Sequence, residues 1–577
     1  MLNALYVSVT GANPEGVRRA SGSMQQQGFV PGPRLDWNGG AMVTWASPSQ
    51  LEVENLELQT PLGNAYCVGP LWYGGKFGKA ALGSLIEDSS AGRQIDEASL
   101  RGNFVLFLRT AHQCLVLNDG LGFVRLYTSP DGLFHSSSWL ATCAYAGRVG
   151  LNAAAAVEYV LLGASHSDET VAEGVTTLPL GSGLDLTRNV RYDRTRLWDS
   201  GVAAIPATLD AAVEQVAAHL ATVFAETAAA FPSHTRAAIS GGFDSRLILA
   251  GLLASGNRPE LFVYGKETSG DVSIARSVAG SVDIPLDVID KSTLDAQLAP
   301  PNLERLVASS LFFDGLPNDG VYDSGVDQQT RLDQTAGGRL GLNGGGGEIF
   351  RNYFHLPDRR FSAMDIVRAF YRGFDRRVLR QPGALSTYEN RMATAIACAV
   401  GVSSDNLTQP VERSRIELAY PLFRCHHWMA VNNSVAVRHG YYMTPLVDPV
   451  AVALAWRLPL AWKDVGLLEA RLIDALHTGV ARQMSEYGFR FSDGPHARMR
   501  FHAWMSSSRP VFARPFINAA GRYLRRRAVA PTLLAYCRAV LPGEWCLDRL
   551  LDLQRLPGNQ ALARALAVEV AWRKLLL

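Results

Sequence analysis

The stretch AAISGGFDSRLILAG, Ala237 to Gly251, interrupts a run of alanine and leucine with two glycines, an aspartate and two serines. Its grammar is strand, tight turn, helix. Thr235 to Ile239 is a short β-branched and alanine run, Gly241 and Gly242 allow unusual backbone angles, and Asp244 with Ser245 opens an apolar helix as a cap would. A turn of this kind aims backbone N–H groups and the positive end of a helix at one spot, which suits a phosphate. The Gly-Lys-Ser/Thr ending of a P-loop is missing, so no lysine reaches the terminal phosphates. Asp244 places a carboxylate in an anion site, which is repulsive unless a cation such as Mg²⁺ lies between. An ordinary βα turn with an N-cap aspartate would use the same residues.

Outward from this turn the chain alternates. An alanine-rich helical pattern, signalled by Thr208 and Asp210, precedes strand Thr235 to Ser240. Helix Asp244 to Ala254, strand Glu260 to Gly265, helix Asp271 to Val282 and strand Pro285 to Asp290 follow. This is the signature of a doubly wound parallel sheet, whose ligands sit at the carboxyl ends of the strands. A further strand, Arg339 to Leu342, runs into NGGGGEIFRNYF and brings a second glycine loop to the same edge. Residues 1–200 read as mostly β, with runs at Ala4 to Val9, Asn103 to Leu108, Cys114 to Asn118 and Leu133 to Ser138 between glycine-rich turns, suggesting a layered antiparallel domain. Beyond Phe361 the pattern is largely helical. The cluster Arg522, Arg525, Arg526 and Arg527 reads as a solvated helix face.

Composition sets the bounds. The 577 residues allow two or more domains, and 47% hydrophobic with 19% charged residues describe an ordinary globular chain. A net charge of +2 argues against wholesale nucleic-acid binding. Seven scattered cysteines with no CxxC pair indicate neither a disulfide framework nor a zinc site. No basic-then-apolar leader and no membrane-length apolar run is present, so the expectation is a cytoplasmic protein with no membrane partner.

Taken together, these pieces resemble the asparagine synthetase B family, a glutaminase-like domain joined to an ATP-pyrophosphatase synthetase domain. SGGFDS, Ser240 to Ser245, matches the pyrophosphate loop, and LFVYGKETSGDVSIARSVAGSVDIPLDVID matches the strand, helix and strand that follow. LRGNFVLFL and LNDGLGFVRLYTSPDGLFHSSSWLA resemble the N-terminal partner, and TPLVDPVAVALAWRLP the late helix. The resemblance implies an α/β chain: an N-terminal nucleophile (Ntn) type glutaminase-like domain over residues 1–200, a synthetase domain over residues 205–500, and a helical extension over residues 501–577. It implies ATP and Mg²⁺ as cofactors. ATP and its pyrophosphate would lie on Ile239, Ser240, Gly241, Gly242, Asp244, Ser245, Tyr264 and Gly344, and the metal on Asp244 and Glu348.

Three departures shape the functional expectation. Glutamine-hydrolysing members carry a cysteine directly after the initiator methionine, whereas Met1 is followed here by Leu2, so no ammonia release is expected. In NGGGGEIF, Gly344 and Gly347 stand where relatives carry side chains, leaving Glu348 as the one loop carboxylate; it is also placed to cap the next helix. The family's late-helix lysine aligns with Glu469, which leaves Lys463 as the candidate catalytic cation and Arg471 as its rival. The chemistry implied is carboxylate adenylation followed by amine attack, as in lasso peptide macrolactam or β-lactam synthetases. The substrate would be a small molecule or peptide carrying carboxylate and amine, and a peptidase of the same pathway is the protein partner implied. Ammonia-dependent asparagine synthesis and a non-catalytic nucleotide-binding scaffold are the alternatives.

Overall fold

The computed structural model describes residues 1–199, 204–291, 302–321, 326–517 and 529–576. The arginine cluster at Arg522 to Arg527 lies outside the described residues.

Strand Ala4–Val9 alternates, and its alternation builds two layers of core. Leu5, Val7 and Val9 point into an apolar layer shared with Tyr66, Val68, Val105, Phe107 and Val116, while Ala4 and Tyr6 point away onto Ala20, Met24 and Tyr145. The first group lies between two six-stranded antiparallel sheets. In one, Ala4–Val9 is flanked by Phe134–Ser136 and Gly40–Ala46; in the other, Val105–Thr110 lies between Gly63–Val68 and Cys114–Asn118. Helices Pro14–Gln26 and Trp139–Ala146 cover the outer face of the first sheet, and helix Gly78–Ser90 covers the second through Leu82, Leu85 and Ile86 against Ala65, Cys67, Leu106 and Leu108. The N-terminal region is thus less purely β than its sequence suggests. The covering helices carry small or polar residues where a steady apolar stripe would announce them, as in PEGVRRASGSMQQ.

Helix Leu209–Ala230 opens the second half, its start marked by Thr208, whose hydroxyl accepts the Ala211 N–H at 3.2 Å. The sheet that follows is all parallel, in the order Leu286–Ile289, Glu260–Tyr264, Thr235–Ala238, Leu340–Leu342, Tyr442–Met443. The first strand in sequence is therefore central, and the chain winds outward from it in both directions. Between Thr235–Ala238 and Leu340–Leu342 the direction of winding reverses, and crevices for ligands open at the carboxyl ends of strands at such a point. Both glycine loops leave the sheet there.

The halves are welded by buried polar contacts. Asp314 accepts Ser138 Oγ and the Trp139 N–H, both at 2.6 Å, and Arg125 donates to the carbonyls of His426 and His427. Near the end of the chain, helix Asn559–Val570 returns to pack on helix Ala153–Leu162, with Arg564 Nη1 donating to Val160 O at 3.1 Å. All seven cysteines are free thiols, and no helix among the described residues is long and apolar enough to cross a membrane.

Candidate functional site

The turn after Thr235–Ala238 is held in shape by its own serines. Ser245 Oγ accepts the Ser240 N–H at 3.0 Å and meets Ser240 Oγ at 2.9 Å, and Ser240 Oγ accepts the Gly242 N–H at 3.2 Å. Helix Phe243–Ala254 begins at Gly242 with no side chain capping it, so its first-turn amides are left for a ligand. Ile239 contributes backbone only: its N–H continues the ladder to Phe262 O at 2.8 Å and its side chain is buried.

The second loop leaves Leu340–Leu342 at Asn343, whose N–H donates to Met443 O at 2.8 Å and whose Oδ1 accepts the Gly345 N–H at 3.1 Å. A Cβ on Gly344 would meet no atom within 4 Å, so that position borders open space. Gly346 adopts φ +107°, which only glycine takes without strain, and turns the chain into the short 3₁₀ helix Gly347–Phe350.

Where the loops meet, three carboxylates face one guanidinium. Arg351 bonds Asp244, lies 2.8 Å by Nε from Glu469 Oε2, and lies 3.5 Å from Glu348 Oε1. A Cβ on Gly347 would sit 2.3 Å from Glu469 Oε1 and 3.0 Å from Asp244 Oδ1, so the absent side chain is what lets the acids close on the loop. Burial raises the Asp244 carboxyl to about 7, opposed by Arg351 and reinforced by Glu348. Burial raises Glu469 well above its ordinary value. Glu348 is opposed by burial too, but Arg351 and the hydroxyl that Tyr420 donates to it hold it below the usual range. Glu348 Oε2 also accepts the Gly346 N–H at 3.1 Å, so it steadies the loop as well as facing the cluster.

Over the turn lies a segment that the sequence reading passed by. Arg246, fully buried, donates to the carbonyls of Gln483 and Met484, and Phe491 stacks on Phe243 at 4.4 Å. This brings Glu486 onto the glycines, with its N–H on Gly241 O at 3.1 Å. A Cβ on Gly241 would fall 2.8 Å from Glu486 Cβ, and one on Gly242 3.0 Å from Glu486 Oε1. Gly241 is therefore required by close approach, whereas at Gly242 the neighbour is the far end of an exposed glutamate that can turn aside.

The remaining expected residues are placed as follows. Lys463 is fully buried, and its ammonium meets Glu417 at 3.2 Å; burial lowers its pKa against the pull of that glutamate. It joins the cluster indirectly: Glu417 pairs with Arg413, Arg413 donates to Asn352, and Asn352 follows Arg351. Arg471 points elsewhere, to Asp210 at 2.7 Å near the protein surface. Tyr264 ends its strand at the same sheet edge, but its hydroxyl accepts from Gln334 and its ring lies under Lys291 at 4.2 Å. Leu2 is buried in the layer between the antiparallel sheets. A small cavity of about 70 Å³ between the halves, lined by Arg125, Asp314 and Arg438 among others, takes no residue from the glycine turn.

Arg351 and Glu486 are candidate-site residues that sequence reasoning missed, and Glu469 entered it only as an acid standing where a cation was expected. The one available signal was Glu469 itself, an acid where the resemblance expects a cation, which calls for a cation from elsewhere. No protein-family model matches this chain, and no curated protein matches it significantly.

Proposed function

We propose that the chain is an ATP-dependent, AMP-forming amide-bond synthetase that adenylates a carboxylate for attack by an amine, in the manner of peptide macrolactam or other natural-product synthetases. One observation carries this reading: two glycine loops leave adjoining parallel strands at the point where the winding reverses, and Asp244 and Glu348 converge beside the uncapped helix start. The donor set fits Mg²⁺. Two buried acids and the partly buried Glu348 outnumber their single cation, and both oxygens of Glu469 lack a well-formed hydrogen bond. Among the described residues no three-acid cage is ready-made, but magnesium takes one or two carboxylates and completes its shell with water and phosphate oxygens. Asp244 and Glu348 would hold it, and it would supply positive charge to the phosphates.

The chain's own residues then divide the work. The free amides at Gly241 and at Phe243 to Ser245 receive the leaving pyrophosphate, the half-buried guanidinium of Arg351 balances charge at the cluster, and the Gln483 to Phe491 segment shields the turn from water. The open space at Gly344 leaves room for a substrate carboxylate. Arg351 takes the electrostatic part expected of a late-helix lysine, with Glu469 as its partner, while Lys463 acts from a layer behind. Leu2 provides no nucleophile for glutamine.

A second reading, a nucleotide-binding scaffold without turnover, is favoured by the same arginine, since Arg351 already neutralises Asp244. Hydroxylamine as a surrogate amine separates the two. Labelled ATP, Mg²⁺, hydroxylamine and a pool of carboxylic acids and peptides should yield AMP, pyrophosphate and a hydroxamate. ADP and phosphate as products would refute the synthetase reading, and tight ATP binding with no cleavage would establish the scaffold. Glutamine in place of hydroxylamine should release no glutamate.

A further inference from the structure

The fifty residues from Gly494 to Gly543 contain nine arginines, no lysine and no acidic residue, in a chain whose net charge is +2, so the remainder is net acidic. Within the described part of this stretch, helix Ala497–Ser507 buries none of its residues. Phe501, Trp504 and Met505 fall at i, i+3 and i+4 on one side of it, and the rings of Phe501 and Trp504 stack at 5.9 Å. Phe512 and Phe516 follow, four residues apart. Their exposures are 55% for Phe501, 63% for Trp504, 72% for Phe512 and 64% for Phe516. Single exposed apolar side chains are ordinary, but so many bulky ones in one short stretch mark a surface that meets something. The stretch is tethered to the body by Arg514, which donates to Phe354 O at 3.2 Å and His355 O at 2.7 Å, just past Arg351.

We propose that the exposed aromatic side chains Phe501, Trp504, Phe512 and Phe516, with Arg498 and Arg500, dock on an anionic lipid bilayer, lying in its interface without crossing it. This departs from the expectation of no membrane partner. Two properties select a bilayer over a peptide. The aromatic side chains are each more than half exposed, whereas a bound peptide needs a concave pocket or sheet edge that receives its side chains. Arginine in the absence of any acid complements a continuous sheet of negative headgroups, to which each basic residue near the surface adds attraction, while the rings enter the headgroup and acyl boundary. The inference stands independently of the synthetase reading, because it uses none of the cluster residues.

The test is sedimentation of the full chain with vesicles of phosphatidylcholine alone and of phosphatidylcholine mixed with phosphatidylglycerol. Binding should favour the anionic vesicles at least tenfold and weaken as salt rises and shortens the screening length. Arg498→Ala and Arg500→Ala should each weaken binding roughly fivefold. Trp504→Ser with Phe512→Ser should remove most of it, with circular dichroism confirming that the variant is folded. If that variant does not fold, the lipid and salt comparison on the unaltered chain decides. Equal binding to both vesicles, binding to neither, or full binding by the folded serine variant would overturn the proposal. So would capture of a synthetic acidic, aromatic peptide by a chain that ignores vesicles, an outcome that would assign the face to a peptide.

Discussion

Asp244→Asn should make the protein more stable and inactive at once. The folded Asp244 carboxyl stands at about 7 against an ordinary value of 3.8, chiefly because burial penalises its charge. A carboxyl whose folded pKa is raised contributes stability that is fully present below about pH 4 and is lost as pH rises through about 7. Asparagine cannot ionise, so the variant keeps that contribution. Three pKa units at about 1.4 kcal/mol each set an upper figure of about 4 kcal/mol in favour of the variant at pH 8, falling to nothing near pH 4. Melting temperatures of both proteins in EDTA, taken across this range, measure the gap. Millimolar Mg²⁺ should then raise the melting point of the unaltered chain and leave the variant nearly unmoved, because a cation at the cluster removes the repulsion with Glu348. A variant less stable at pH 8, a gap that does not close toward pH 4, or an equal response to Mg²⁺ would contradict this account of Asp244.

Three further substitutions probe the neighbours. Glu348→Gln keeps size and can still accept from Tyr420, but it loses the charge facing the metal, so turnover should fall on the order of a thousandfold and the Mg²⁺ midpoint should rise; a loop-steadying role alone predicts about 1 kcal/mol of stability and an unmoved midpoint. Lys463→Met removes one of the two cations on Glu417 but leaves its pair with Arg413, so a thermal melt should show a cost of about 1–3 kcal/mol, and normal turnover in the folded variant would make Lys463 purely structural. Gly347→Ala drives a Cβ into the Glu469 and Asp244 oxygens and should cost about 1–3 kcal/mol together with ATP turnover; a thermal melt and pyrophosphate release check both, and a neutral outcome would contradict the close approach.

Elements whose signals are local could be read from the amino-acid order alone. Ala4–Val9 and Cys114–Asn118 lie where their apolar runs predict them, Thr208 caps the long helix, and the glycine turn joins strand to helix between Ala238 and Phe243. Parallel winding was legible because each strand is followed by a helix-period run that must cross over to reach the next. The fifth strand, Tyr442–Met443, was not: two residues carry no periodicity, and only pairing with Leu342 makes them a strand. Among the residues that meet at the two loops, Asp244, Ser245 and Glu348 were readable because turns and first-turn acids act within a few positions. Arg351 was not, because its meaning depends on Asp244, 107 residues earlier, and on Glu469 in a helix far downstream. Glu486 reaches Gly241 only because Arg246 and Phe243 hold its segment in place. Local chemistry specifies how a short stretch bends and which face it buries. Which charge stands opposite which is settled only when packing brings distant elements together, and here that packing gave an acid cluster its arginine.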